Sequence, residues 1–198
     1  YPLDNPVDYE PDISECLGAK AAAIGVDPID YLYDFLLEDG GTRFASLSAV
    51  DLPARMGVLQ EMLLHPDTVT GLSDAGAHVT LICDGSMPTT QLAYWTRDRE
   101  KGEKIPIEYI VRKQTALNAQ LYGFDDRGAL EQGKKADVNV IDMDNLRVSP
   151  PVPHHDLPTG GTRLMQPVTG YINTLCNGIS VREFDLDTGD RPGRLVRS

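Results

Sequence analysis

The string Gly71-Leu-Ser-Asp-Ala-Gly-Ala-His78, followed by Cys83 and Asp84, places side chains that can hold a metal or move a proton within one short stretch. Asp, His and Cys are all zinc ligands, and the small residues between them let the backbone approach a metal or a substrate closely. The same string also reads as a tight turn in which Ser73 and Asp74 cap the next helix. Other candidates carry less. His65 before Pro66 reads as a helix terminator favoured by the helix dipole. His154-His155 lies in a proline-rich stretch with too few donors for a metal site. Cys83 has no base near it in sequence and reads as a small buried thiol, and Cys16 and Cys176 as structural. Tyr94 and Trp95 are either a substrate-stacking pair or, more commonly for such residues, core. The acidic residues of the first fifty positions, from Asp4 to Asp39, lack the spacing of an EF-hand and read as a solvated face with helix caps.

The elements that must position these residues follow from periodicity and punctuation. Asp12 with Glu15, then Cys16, Leu17, Ala21 and Ile24 before Gly25, predicts a helix. Asp27-Pro28 opens a second, with Ile29, Leu32, Tyr33, Leu36 and Leu37 on one face until Gly40-Gly41. A short strand is expected at 43–48, a helix from Asp51 and Pro53 through Leu64, and a β-branched strand at 68–72 ending at the Gly/Ser/Asp/Ala/Gly cluster. Residues 89–99 and 106–121 are helix-compatible. Strand, loop, helix in this order describes an α/β unit with its chemistry in the loop after the strand, where Asp74 stands. After Gly123 the texture changes. Val138 and Val140 alternate as in a strand, prolines and glycines fill 150–161, and Asn177-Gly178 between two β-rich runs predicts a type I′ hairpin. The chain divides near residue 124 into an α/β part and an all-β part.

The chain has 198 residues, room for one large domain or parts of two at roughly 150 per domain. Eighteen basic and thirty acidic residues give a net charge of −12, which excludes broad binding to nucleic acid or anionic membrane. No apolar run approaches the roughly 18 residues of a membrane span. Three scattered cysteines suit neither a disulfide framework nor a metal knuckle, so a reducing, cytoplasmic location is expected. The chain starts Tyr1-Pro2 with no targeting stretch, which reads as a fragment.

The ordered strings GLSDAGAHVTLICDGSMPT, QLAYWTRDR, TALNAQLYGFDDRGALEQGKKADVNVIDMDNL, LPTGGTRLMQPVTGYINTLCNGISV and TGDRPGRLVR resemble the C-terminal part of the N-acyl-D-amino-acid deacylases, the D-aminoacylase-like proteins of the amidohydrolase superfamily. The resemblance implies an α/β fold: residues 1–123 as the C-terminal part of a (β/α)₈ metal-dependent hydrolase barrel, and 124–198 as strands of a small composite β-sandwich. It also implies zinc, with Asp74 beside the metal as ligand and proton shuttle, accepting a proton from the activated water and passing it to the leaving amine. That role suits a carboxylate within reach of a water whose pKa zinc brings to about 7.

Two departures shape the expectation. No His-x-His metal pair occurs in the sequence, so the segment alone should lack hydrolase activity. Where better-known members carry His-Pro-Arg, with the arginine clamping the substrate carboxylate, this chain reads Cys83-Asp-Gly-Ser-Met-Pro88, which leaves Arg97 or Arg99 to substitute. His78 is expected to hydrogen-bond a substrate group. The expected function is therefore zinc-dependent hydrolysis of a C–N bond in a small-molecule amide, an N-acyl amino acid or a related compound, with an associated upstream segment completing the barrel. The alternative is a non-catalytic module or subunit, inactive without the remaining metal ligands.

Overall fold

The computed structural model describes residues 1–46, 52–71 and 73–196. The Asp12 carboxylate accepts from Ser14 N at 2.9 Å and starts a 3₁₀ turn, Ile13–Glu15. Glu15 pairs with Lys20 at 2.6 Å instead of reaching back to the cap, so the regular helix α1, Leu17–Ile24, starts later than the spacing predicts. Asp27 caps α2, Pro28–Gly41, through Ile29 N and Asp30 N, with Pro28 at the first position, where its missing N–H costs nothing. α1 and α2 pack together and bury Leu17, Ala21 and Phe35. One helix presents one face to α1, and Phe35 takes it. The stripe of Ile29, Tyr33, Leu36 and Leu37 stays exposed, against expectation.

Of the strand expected at 43–48, residues 47 and 48 lie outside the described residues, as does Asp51; among the described residues only Ala45 pairs, in one antiparallel bridge to Pro2. α3, Leu52–Leu64, ends at His65, whose Nδ1 accepts from Asp67 N at 3.2 Å, in keeping with a terminator role. The last carbonyls of α3 are held by Lys113, almost wholly buried, whose Nζ donates to Leu63 O, to His65 O at 3.1 Å and to Thr68 Oγ1 at 2.8 Å.

The strand expected at 68–72 does not form over 68–71, and Leu72 lies outside the described residues. A strand needs a neighbour to satisfy its N–H and C=O groups, and among the described residues none pairs here. The Thr68 and Thr70 hydroxyls bond carbonyls of α3, the following turn and the next helical layer instead.

A 3₁₀ turn at Asp84–Ser86 leads into α4, Met87–Ala93, which widens into a π turn at Tyr94–Asp98. The stretch expected as one helix over 106–121 is two, α5 (Ile107–Gln114) and α6 (Ala116–Leu121), broken at Thr115 with φ −120 and ψ −84. The strands then follow: β1 Val138–Ile141, β2 Arg147–Val148, β3 Val152–His154, β4 Arg163–Met165, β5 Val168–Thr169, β6 Tyr171–Cys176, β7 Ile179–Glu183 and β8 Leu186–Asp187. They form one sheet in the order β1-β6-β7-β8 and two small pairs, β2-β5 and β3-β4. Every ladder is antiparallel. The β6–β7 turn is the expected hairpin, with φ 51 at Asn177 and φ 80 at Gly178.

The architecture is thus a mixture of helices and small antiparallel sheets. Helical and strand parts share one core, in which Met56, Leu92, Trp95, Ile105, Ile110 and Leu146 cluster, with Ile141, Met143 and Tyr171 packed against them. Gly170 makes this contact possible. A Cβ there would lie 2.7 Å from the Leu146 Cα, and its φ of 105 disfavours any side chain.

The N-terminal segment is tied in by Glu10, one of the acidic residues expected on a solvated face. It is buried, and its carboxylate takes Arg99 Nε at 3.1 Å and Nη2 at 3.2 Å, together with the Tyr94 hydroxyl. Burial works to raise the Glu10 pKa, but Arg99, Tyr94 and Lys101 outweigh it and hold the carboxyl below its ordinary value of 4.5. A depressed folded-state pKa adds stability that is complete above the unfolded value and is lost as pH falls through the folded one. Glu10→Gln should therefore destabilise the protein near neutrality, by about 3–5 kcal/mol if the partner is left uncompensated, and the gap to the native protein should narrow as pH falls below the ordinary carboxyl value of 4.5. Thermal unfolding of both proteins from neutrality to below that value checks this; a gap independent of pH contradicts it.

Candidate functional site

The loop between α3 and α4 carries the candidate residues. Its backbone is unusual: Asp74 has φ 43, Gly76 φ 110 and His78 φ 47. Two non-glycine residues in the left-handed region within five positions represent a local cost of order 1–3 kcal/mol each, and such outliers cluster at functional sites. The expected helix cap by Ser73 and Asp74 does not form, since the next helical turn has Cys83 at its N-cap; the chain turns beyond them instead, where His78 O accepts from Leu81 N at 2.8 Å and Ile82 N at 2.9 Å. Strand β4 holds the loop from the other side through Leu164 N to Val79 O at 2.7 Å.

Asp74 is exposed, and the loop folds back so that Ala75 meets the 3₁₀ turn, where a Cβ on Gly85 would sit 3.5 Å from the Ala75 Cβ. This brings Asp74 into the electrostatic field of Asp84. The Asp84 carboxyl is raised above the ordinary carboxylate range, first by burial and then by the Asp74 charge. The two carboxyl groups sit in unequal environments, Asp74 exposed and Asp84 half-buried. Asp84 was visible in the sequence, but its pairing with Asp74 depends on the fold-back at Gly85, which spacing does not show.

The turn bearing Asp84 is anchored from three sides. Ser86 is buried and donates to Gln166 Oε1; Thr89 Oγ1 and Tyr171 OH lie 2.8 Å apart; Thr90 Oγ1 and Tyr9 OH lie 3.4 Å apart. Cys83 beside it is half-buried, not buried as expected, and its thiol is pushed up by that partial burial and by Asp84, which disfavours the thiolate.

His78 is exposed, with no hydrogen bond to its ring among the described residues. Arg97 sits in the π turn. Its guanidinium fork grips Asp98 through Nε at 2.5 Å and Nη2 at 2.7 Å, and it also donates to the carbonyls of Met143 and Leu146. Arg99 is committed to Glu10 and Gln60. Tyr94 and Trp95 are core. The histidines do not converge: His155 Nδ1 lies 2.9 Å from Thr162 Oγ1, and His65 faces its own turn. Among the described residues no three His, Cys, Asp or Glu side chains gather as a metal site. Asp74 and Asp84 alone are too few donors for a structural or catalytic zinc.

A cleft of 660 Å³ lies on another face of α4, lined by Tyr9, Arg97, Lys101, Lys104, Asp144 and Arg147 among others, and neither Asp74 nor His78 borders it. Its cations are largely engaged, Lys101 with Glu10 O and Arg147 with the carbonyls of Asp144 and Leu146. A smaller pocket of 180 Å³ includes Ser73, the residue before Asp74.

With this geometry, a model of the amidohydrolase family matches residues 14–181. The chain belongs to the amidohydrolase family. An uncharacterized protein of Mycobacterium tuberculosis (strain ATCC 25618 / H37Rv) is 30% identical over 136 residues, which cover 68% of this chain and 22% of that protein. A protein of Mycobacterium bovis gives the same figures. The 5-methylthioadenosine/S-adenosylhomocysteine deaminase of Haloarcula marismortui is 29% identical over 163 residues, 77% of this chain and 34% of that protein. The chain spans about a fifth to a third of the length of these curated relatives. No solved structure matches. Among the described residues no helix of this amidohydrolase-family chain is long and apolar enough to cross a membrane.

The Asp74–Asp84 coupling is directly measurable. Asp74→Asn removes one of the two causes that raise Asp84 and leaves burial in place. The Asp84 carboxyl should titrate lower in the variant, yet still above an ordinary carboxylate, when followed by carboxyl ¹³C NMR. An unchanged Asp84 titration would separate the two groups.

Proposed function

We propose that this chain is the C-terminal portion of an enzyme that hydrolyses the C–N bond of a small-molecule amide, an N-acyl amino acid or a related compound, with Asp74 as the proton shuttle. The observation that carries the reading is the position of Asp74: an exposed carboxylate on a left-handed loop, beside the half-buried carboxyl of Asp84, in a chain of the amidohydrolase family. Asp74 can take a proton from the attacking water and return it to the departing nitrogen, which would otherwise leave as an unstable amide anion.

In this proposal residues 1–123 are the end of a (β/α)₈ barrel and 124–198 belong to a β-sandwich. The uncovered apolar side chains of Ile29, Tyr33, Leu37 and Leu121 support a further segment of the protein packing over the helices. The zinc implied by the resemblance is not held by the described residues; Asp74 would contribute one ligand to a site completed from elsewhere, and the segment alone would be inactive. His78, exposed on the same loop, would meet a substrate group in this reading. Arg97 lines the cleft that Asp74 does not border and its fork is taken by Asp98, so in this reading it would serve a substrate carboxylate only by exchanging Asp98 and with a substrate that spans from that cleft.

A second reading is supported by the deaminase relative: C–N hydrolysis that releases an amino group as ammonia. One assay separates the two, because hydrolysis of an N-acyl compound releases a carboxylate and an amine, whereas hydrolytic deamination releases ammonia and leaves a hydroxyl or carbonyl where the amino group stood, with no new carboxylate. In the active protein carrying this chain, Asp74→Asn should lower kcat on its substrate by at least about 100-fold while leaving the fold intact. Full activity in the variant removes Asp74 from the reaction.

A further inference from the structure

Two hydroxyls at the start of α4 bond away from their own helix. Ser86 stands at the N-cap, where a serine hydroxyl ordinarily accepts from a backbone N–H of the first turn. It makes no such bond. Ser86 is buried, and its hydroxyl donates instead to Oε1 of Gln166, eighty positions away and just beyond β4. Thr89, also buried, behaves alike: its Oγ1 lies 2.8 Å from the hydroxyl of Tyr171, the first residue of β6. A third contact comes from the backbone, where Leu164 N donates to Val79 O at 2.7 Å. Residues 164–171 of the strand part thus hold the chain at Val79, before Asp84, and at Ser86 and Thr89, after it.

The contact at Ser86 bears directly on the acidic corner. Ser86 closes the 3₁₀ turn that Asp84 opens, and Gly85 between them is where the Asp74 loop leans, since a Cβ there would lie 3.5 Å from the Ala75 Cβ. Gln166, Ser86, Gly85 and Ala75 therefore form one path of bonds and contacts that ends beside Asp74. Among the described residues nothing hydrogen-bonds the exposed Asp74 carboxylate itself, so its place follows from the backbone around it. We infer that Gln166 is a positioning residue of this site: by holding Ser86, its side-chain oxygen fixes the turn on which the Asp74 loop rests and so sets where the Asp74 carboxylate stands. Its kinetic consequence rests on the reading of Asp74 as proton shuttle; its geometric consequence does not. A displacement of about 1 Å at a reacting group can lower a rate about 100-fold, so a neutral hydrogen bond of modest worth to folding can carry a large kinetic weight.

Gln166→Met is close in shape and removes the acceptor, whereas Gln166→Glu keeps one for the Ser86 hydroxyl. In ¹H–¹⁵N NMR of the full chain, Gln166→Met should shift the amide signals of residues 74–77 and leave those of the β6–β7 hairpin in place, and Gln166→Glu should leave both in place. In the active protein carrying this chain, Gln166→Met should lower kcat at least about tenfold with KM held within about twofold, and Gln166→Glu should recover most of that loss. Should Gln166→Met fail to fold, Ser86→Ala removes the same bond from its other end and carries the same expectations. Unmoved signals at 74–77, equal losses in both Gln166 variants, or a raised KM with kcat unchanged would overturn the assignment. The two readings fail separately: full activity in Asp74→Asn removes the shuttle and leaves the signals at 74–77 to decide the role of Gln166.

Discussion

The structure depends on the buried pair of Glu10 and Arg99. Arg99 is the hub: Glu10 meets it with both oxygens, Gln60 Oε1 with Nη1 at 2.6 Å, the Glu103 carbonyl at 3.3 Å, and the Trp95 ring lies 4.7 Å from its Cζ. One guanidinium thereby fastens the N-terminal segment, α3, the π turn and the stretch that leads to α5. An arginine can do this because its planar fork offers five donors and a face that stacks on an aromatic ring. Burying either charge alone would be prohibitive, so the two residues stand or fall together. Tyr9 and Tyr94, with ring centroids 5.2 Å apart, continue the same layer toward Thr90 on α4.

That hub explains how an exposed, strained loop can still present a defined carboxylate. α4 is held on one side by Tyr9 and on the other by Tyr171 and Gln166, which belong to the strand part. The turn preceding α4 carries Asp84, and the loop carrying Asp74 leans on that turn at Gly85. The helical and strand parts are therefore mechanically one unit around the acidic corner, although their secondary structures differ completely. The positive φ angles of Asp74 and His78 are supported by this surround, which is what allows a local cost to persist in a folded chain.

Much of this was legible in the residues. Asp27-Pro28 as a cap and Asn177-Gly178 as a hairpin turn are local chemistry, and both formed as read. Asp74 stood out because of its small neighbours and its place after a β-branched run. What escaped were long-range pairings. Glu10 looked like one acidic residue among many, and nothing in its spacing pointed to Arg99, eighty-nine positions away. Lys113, a charged residue that helical spacing alone does not single out, is the buried cap of α3. The run at 68–71 has strand propensity but no strand to pair with among the described residues, so context overrode propensity. The exposed stripe on α2 shows the converse: periodicity identifies an apolar face and does not say what covers it.

The central claim is that Asp74 delivers the proton to the leaving nitrogen. It is tested most directly by the dependence of the hydrolysis rate on leaving-group basicity, measured with a series of amides in the native protein and in Asp74→Asn. With Asp74 as shuttle, the native rate should depend weakly on the basicity of the departing amine, and the variant steeply, with good leaving groups largely rescued. Parallel dependences in the two proteins would contradict the account.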